Sequence, residues 1–326
     1  MGTLRSFRGA TAAELIRFGA PGAELGAEVE REGLRRTLAV QLQPRRRRAE
    51  VDGKAVASAV EYAGGLTAVV FGPEDLRLPK GSPQERRRFL DRAVFEARPA
   101  YLRQALDYHR LLKHRNALLR DLGAGASRAP ALLETYDERL AAAGAAVVLA
   151  RRSLLAALGA RFARAFEAIG HMGVPAALSY ASDPEVAAAT DADGVAAALG
   201  SALRRRRDRD LARGYTSVGP HVDDLVIELD GRPARVHASQ GQIRALMLAL
   251  KTSEITHVLE ATGDPPVLLL DDVSSELDPA RNRSLFEFLG QVGCQTLITT
   301  TDPAHVRLEG PVRRFLVSGG RVEPEA

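Results

Sequence analysis

The run Val267-Leu268-Leu269-Leu270-Asp271-Asp272 admits few surroundings. Successive apolar residues without polar alternation need both faces of the strand covered, which for a short strand means a parallel sheet with helices on either side. Two carboxylates directly after such a strand stand at its carboxyl end, where ligands of open α/β sheets bind. The neighbouring pattern agrees. Gln240 to Glu260 and Arg281 to Leu289 are helical, and Thr296 to Thr300 reads as a second strand. That strand–helix–strand order implies parallel pairing.

Elsewhere the period of the apolar residues changes twice. From Ala20 to Phe71 it is two: Leu25, Ala27 and Val29 alternate with polar residues, as do Leu38, Val40 and Leu42, and Asp52-Gly53 signals a tight turn. A small antiparallel meander is expected, ending in the apolar run Leu66 to Phe71. From Pro83 to about Asp210 the period is helical. Ala105, Tyr108, Leu112 and Leu119 share a helix face, and Leu154, Leu158, Phe162 and Phe166 repeat every fourth residue. No proline interrupts Leu132 to Ile169, enough for a helix of roughly 55 Å. Loops are expected at Gly123 to Pro130 and at His171 to Pro175. Leu225 to Leu229, Asp230-Gly231 and Arg235 to Ala238 read as a hairpin. The expected organisation is residues 1–75 and 211–326 as two parts of one α/β unit, with residues 76–210 inserted as an elongated helical lobe.

Composition excludes several classes. With 326 residues, 45% hydrophobic and 26% charged, the chain is neither wholly disordered nor too small for a core. One cysteine, Cys294, excludes a disulfide scaffold. Arg5, Arg8, Glu14 and Arg17 interrupt any signal-peptide apolar stretch, and Ala141 to Ala150 covers about half a membrane span. A cytoplasmic protein with no membrane contact is expected. Only Lys54, Lys80, Lys113 and Lys251 are lysines among 45 basic residues, so arginine dominates. Codon bias in a GC-rich genome explains that as readily as phosphate binding does.

The acids at the strand end fit the Walker B pattern: Asp271 would hold Mg²⁺, and Asp272 would orient or activate the attacking water. An acidic loop after a core strand fits the same six residues. Ser239-Gln240-Gly241-Gln242 opens the preceding helix. Ser239 with Gln242 makes a good capping box, and a helix start also offers unpaired N–H groups to a phosphate. Ser275-Glu276-Leu277-Asp278 follows the acids and ends at Pro279.

Together these stretches resemble the nucleotide-binding head of the ABC-type ATPases and, more narrowly, the RecF family of bacterial DNA-repair proteins. Further residues carry the resemblance: Gly214-Tyr215-Thr216-Ser217-Val218-Gly219-Pro220-His221 with Asp223-Asp224-Leu225, Arg244-Ala245-Leu246, Phe71 with Pro73-Glu74-Asp75-Leu76, Arg86-Arg87-Arg88-Phe89-Leu90-Asp91, and Arg115-Asn116-Ala117-Leu118-Leu119. The match runs in order over nearly the whole chain. It implies an ABC-ATPase-like head with a mixed sheet and an inserted helical lobe, binding ATP and Mg²⁺. Ser239, Gly241 and Gln242 would form the signature motif that meets the γ-phosphate bound on a second subunit. Asp278 would lie in the loop crossing an ATP-dependent homodimer. Thr301 stands where many relatives carry a switch histidine, and Phe71 to Asp75 resembles the Q-loop region. Asp272 replaces the usual glutamate, and its shorter reach implies slow hydrolysis.

Two departures stand out. Val222 occupies a position that is usually arginine, and no Gly-x-x-x-x-Gly-Lys-[Ser/Thr] occurs in the 326 residues. Arg5-Ser6-Phe7-Arg8 and Glu14 to Phe18 resemble residues that, in the family, come just after the phosphate cradle and its helix. A start codon assigned downstream of the native one is therefore expected, and the chain taken literally would bind ATP poorly.

The resemblance further implies binding of single-stranded or gapped DNA, cooperation with RecO and RecR in loading RecA, and support of the SOS response. The arginine runs at 45–48, at Arg86, Arg87 and Arg88, and at Arg204, Arg205, Arg206 and Arg207 are the candidate phosphate contacts, although such runs are commonly just solvated faces. With aromatics at 5% and Trp 0, binding should be led by the DNA backbone. His109, His114, His171, His257 and His305 show no metal spacing, while the role of His221 stays open. Tyr101, Tyr108 and Tyr136 read as core. A nucleotide-independent DNA-binding adaptor with a decayed ATPase site is the main rival. An SMC-like or transporter head fits less well.

Overall fold

The computed structural model describes residues 10–31, 33–62, 64–124, 130–170, 173–306 and 311–325. The residues at 5–8, most of the loop expected at 123–130, and His171 lie outside them.

Strands Ala23–Arg31, Leu34–Gln43, Arg46–Val51 and Lys54–Ala55 form an antiparallel meander. Asp52 and Gly53, both at positive φ, make its Asp-Gly turn. Leu38, Val40 and Leu42 point to one face and close a small core with Ala49 and Tyr62. Strand Ala68–Phe71 then runs parallel to Val267–Asp271, which runs parallel to Thr296–Thr299. The apolar strand with its terminal acids is thus the central strand of three, and residues far apart in sequence flank it.

Between the first two strands of this sheet the chain makes its helical lobe. Helices Pro83–Ala97, Tyr101–Gly123, Pro130–Gly170 and Ala192–Arg205 are its long members. The Pro130–Gly170 helix has 41 residues, which makes it about 60 Å long. It is apolar and long enough to cross a membrane by composition. Here it is a core element: Leu140, Val148, Leu158, Phe162 and Phe166 are buried, and it packs on Tyr101–Gly123, Ala192–Arg205 and Gln240–Thr262. The Gln240–Thr262 helix buries an unbroken run from Ala245 to Ile255, as a helix enclosed on every side must.

Strands Ala176–Ala181, Asp224–Leu229 and Arg232–Pro233 form a second antiparallel sheet. The hairpin expected through Arg235 to Ala238 is corrected here. Pairing stops at Pro233, which has no N–H to extend the ladder. Residues Ala234–His237 close a helical turn instead, with the Ala238 amide donating to the Ala234 carbonyl at 3.0 Å.

Candidate nucleotide site

Asp271 ends the central strand, and Asp272 follows at φ 51°, ψ 28°. Among the described residues three non-glycines have positive φ, and Asp52 and Asp230 are the first residues of Asp-Gly turns that require it. Asp272 belongs to no such turn. Its conformation is strained and is held by its surroundings: its amide donates to the Thr299 carbonyl at 3.0 Å. The Thr299 hydroxyl in turn donates to Asp271 Oδ1 at 2.8 Å. One residue of the neighbouring strand therefore fixes both acids. From the other neighbouring strand, a Cβ at Gly72 would lie 3.8 Å from Asp271 Cβ.

The start of the Gln240–Thr262 helix is exposed at Ser239 and Gln240. Ser239 Oγ accepts from the Gln242 amide at 3.2 Å, and Gln242 Oε1 accepts from the Ser239 amide at 2.8 Å. Both halves of the capping box are made. A Cβ on Gly241 would come within 3.6 Å of the Arg281 guanidinium. Asp278 holds that guanidinium, and its carboxylate caps the Pro279–Val292 helix through the amides of Ala280 and Arg281. Burial pushes the Asp278 carboxyl up, but the Arg281 amide and guanidinium bring it below its ordinary value. Arg244 reaches Glu276 at 3.7 Å. The 239–244 and 276–281 stretches thus lie side by side in one chain. Thr301 is exposed, two residues past Thr299.

Behind the acids lies a buried charged cluster. Lys251 Nζ donates to the Val70 carbonyl at 2.9 Å and pairs with Glu254 at 2.9 Å and Asp75 at 3.6 Å. Asp75 accepts from the Gly72 amide and from Arg92, which also reaches Glu96. Burial and then the Glu254 carboxylate hold the Glu96 carboxyl well above its ordinary value. This cluster joins the 71–75 segment to both the Gln240–Thr262 helix and the Pro83–Ala97 helix.

The remaining stretches that carry the resemblance are tied together by buried polar contacts. Arg86 grips Asp224 with Nε and Nη2 at 2.8 and 2.6 Å, and Arg87 donates to the Asp223 carbonyl. Asp91 accepts from Tyr101 and Arg151, and Arg151 donates to the Pro220 carbonyl. Arg115, fully buried, binds Asp137, Asp210 and the Thr216 hydroxyl. His221 Nε2 faces the Thr216 carbonyl at 2.9 Å, so that nitrogen carries the proton, and Nδ1 accepts from Tyr108 Oη at 2.6 Å. Burial pushes the His221 imidazole down to about 4, so it is neutral and structural. Val222 is exposed beside it.

The arginines of the expected nucleic-acid surface differ in burial and pairing. Arg86 is 4% exposed and spends its guanidinium on Asp224 and the Gly81 carbonyl. Arg206 binds Asp183 and the Ser217 carbonyl, and Arg207 binds Asp137. Arg86 serves the interior, whereas Arg206 and Arg207 are half-buried and paired with acids. Arg88, Arg204 and Arg205 are exposed, Arg205 pairing with Glu185. So are Arg45 to Arg48 at a hairpin tip of the meander.

Among the described residues no cluster of three or more His, Cys, Asp or Glu is placed to hold a metal alone. Two carboxylates and a hydroxyl, all hard oxygen donors, instead suit Mg²⁺ shared with phosphate. The residues that sequence reasoning missed are Thr299, Lys251 and Arg281. A lysine inside an apolar helix with Glu254 three residues on was a readable signal. Thr299 was not, because it depends on strand register.

The fold is that of an ABC-ATPase-like head with an inserted helical lobe. No family model matches the chain, but relatives do. It is 46% identical over 309 residues to "DNA replication and repair protein RecF" of Myxococcus xanthus, covering 94% of this chain and 80% of that protein. It is 41% identical over 326 residues to the protein of that name from Geobacter sulfurreducens, covering 99% and 87%. The solved structure of "the recombination mediator protein RecF-ATP in RecFOR pathway" superposes with a TM-score of 0.90 at 30% identity, over 99% of this chain and 85% of that one. The chain belongs to the RecF family of DNA replication and repair proteins.

Proposed function

We propose that this protein is an ATP-dependent recombination mediator. Two copies clasp ATP between them: the exposed amide-rich mouth at Ser239, Gly241 and Gln242 of one copy receives the γ-phosphate held by the other, with Asp278 and its neighbours at the interface. Asp271, oriented by Thr299, would hold Mg²⁺. That ion, when bound, neutralises charge on the phosphates. Asp272 would orient the attacking water, and the Thr301 hydroxyl would contact phosphate or water. The head comprises residues 1–75 and 211–326, the lobe 76–210.

The closed dimer would hold single-stranded or gapped DNA through Arg45 to Arg48, Arg88 and Arg204. It would act in the cytoplasm with RecO and RecR to load RecA and support the SOS response. The observation that carries this reading is Thr299 fixing Asp271 and Asp272 at the carboxyl end of the central strand. A nucleotide-independent adaptor has no use for that arrangement. Binding of a gapped duplex, measured with and without ATP and Mg²⁺ on the complete gene product, separates the two. Mediator function predicts that ATP strengthens binding; affinity indifferent to ATP favours the adaptor.

A further inference from the structure

Tyr215 is the exposed one among the six tyrosines. Tyr62, Tyr101 and Tyr108 are buried and Tyr136 and Tyr180 are half-buried, but Tyr215 leaves 47% of its surface in water. A lone exposed ring needs no explanation by itself. What sets this one apart is how firmly its backbone is held.

Immediately after it, the Thr216 amide and hydroxyl both donate to Asn116 Oδ1, at 2.8 and 2.6 Å. The Thr216 hydroxyl also accepts from the fully buried Arg115, and the Ser217 amide donates to Asp210. Immediately before it, Gly214 sits at φ +70° with Arg120 Cγ only 2.8 Å from where a Cβ would be. A side chain there is excluded twice over, by conformation and by space. Buried polar groups pin the Thr216 flank of this exposed ring, and the Arg120 side chain crowds the Gly214 flank.

Cations stand close to the ring and to its backbone. Arg120 passes under Gly214 and reaches its carbonyl at 3.5 Å, and Arg213 Nη1 stands 3.5 Å from the Tyr215 hydroxyl. The adjoining 204–213 segment adds exposed Arg204, Arg205 and Arg209. Its two acids are Asp208 and Asp210, and Asp210 is buried against Arg115. An exposed aromatic ring on an anchored backbone, with guanidiniums close by, is the arrangement that stacks an unpaired base while neighbouring phosphates are neutralised. A duplex, whose bases are already stacked, gains nothing from such a ring.

We propose that Tyr215, with Arg120 and Arg213, is a stacking site for single-stranded nucleic acid at this end of the lobe. The assignment rests on the DNA-binding reading above and adds a subsite to it. The test is fluorescence anisotropy of the complete gene product with a labelled oligothymidine and, separately, a blunt duplex, across a salt series. Tyr215→Ala is expected to weaken oligothymidine binding about tenfold, leaving duplex affinity, salt slope and melting temperature unchanged. Tyr215→Phe, which keeps the ring, is expected to bind as the parent does. Arg213→Gln should lower the salt slope by about one.

Unchanged oligothymidine affinity in Tyr215→Ala, where the parent protein binds, overturns the stacking site and leaves the DNA-binding reading standing, whether or not the ring meets a protein partner instead. Failure of the parent protein to bind either DNA overturns both.

Discussion

The hydroxyl of Thr299 donates to Oδ1 of Asp271 at 2.8 Å, across two parallel strands in register at those two residues. The same threonine accepts the Asp272 amide on its carbonyl. Side chain and backbone of one residue thus hold the two acids of the site. Thr299→Val keeps the shape and the backbone contact and loses only the donor. Its cost in stability should be about 1 kcal/mol. The Mg²⁺ concentration giving half-maximal ATP hydrolysis should rise several-fold, and Thr299→Ser should restore it. An unchanged Mg²⁺ dependence in Thr299→Val removes Thr299 from the account.

The arginine runs should divide by burial. Arg86→Ala leaves Asp224 uncompensated, and roughly 3 kcal/mol of stability should be lost, visible as a lower urea midpoint. Arg88→Gln and Arg204→Gln should leave that midpoint unchanged. Each should instead reduce the slope of log DNA affinity against log salt by about one. A stable Arg86→Ala protein with weakened DNA binding would reverse the division.

In the Lys251 cluster two cations, Lys251 and Arg92, face three acids, Asp75, Glu96 and Glu254, and burial with the Glu254 carboxylate holds the Glu96 carboxyl well above its ordinary value. Because the folded Glu96 carboxyl lies above its ordinary value, its contribution to stability is present at low pH and lost as pH rises. Glu96→Gln removes that loss and should be neutral or stabilising at pH 7. Lys251→Met should cost about 3–5 kcal/mol, since it strands Asp75 and Glu254 in the interior. Chemical denaturation of the two variants checks both signs, and equal destabilisation would contradict the assignment.

His221 and Asp223 oppose each other in acid. Burial pushes the His221 imidazole from 6.5 down to about 4, so its contribution to stability is full above pH 6.5 and is lost as pH falls toward 4. Burial pushes the Asp223 carboxyl from 3.8 up to about 6, so its contribution is full below 3.8 and is lost as pH rises through 6. Between pH 4 and 6 the two slopes cancel in large part. Asp223→Asn should leave the histidine's loss unopposed, and its urea midpoint should fall more steeply than the parent's on acidification from pH 6.5 to 4.5. Parallel profiles would refute the pairing.

Much of the scaffold was readable from spacing. Leu154, Leu158, Phe162 and Phe166 recur every fourth residue because one helix face is buried along its length. Asp52-Gly53 turns because Gly accepts positive φ without cost and Asp tolerates it. The unalternated 267–270 run is central in its sheet, but its burial alternates. Leu268 and Leu270 are buried while Val267 and Leu269 are only half-buried, so the expectation that both faces are covered does not hold among the described residues. Charged side chains misled in both directions. Arg86 and Arg115 are written like surface residues, and the acids that draw them inward, Asp224 for one and Asp137 and Asp210 for the other, are far off in sequence. Thr299 was equally hidden. The family motif pointed to Thr301, and only the pairing of the two strands shows which threonine meets Asp271.

The sharing of ATP between two copies is tested most directly by sedimentation equilibrium of the complete gene product with a slowly hydrolysed ATP analogue and Mg²⁺. A dimer is predicted for the parent protein, dissociating when nucleotide is withdrawn. Ser239→Arg, which fills the mouth that faces the partner's phosphate, should bind nucleotide and stay monomeric. A parent protein that remains monomeric while saturated with nucleotide, or a Ser239→Arg variant that dimerises as well as the parent, would contradict the account.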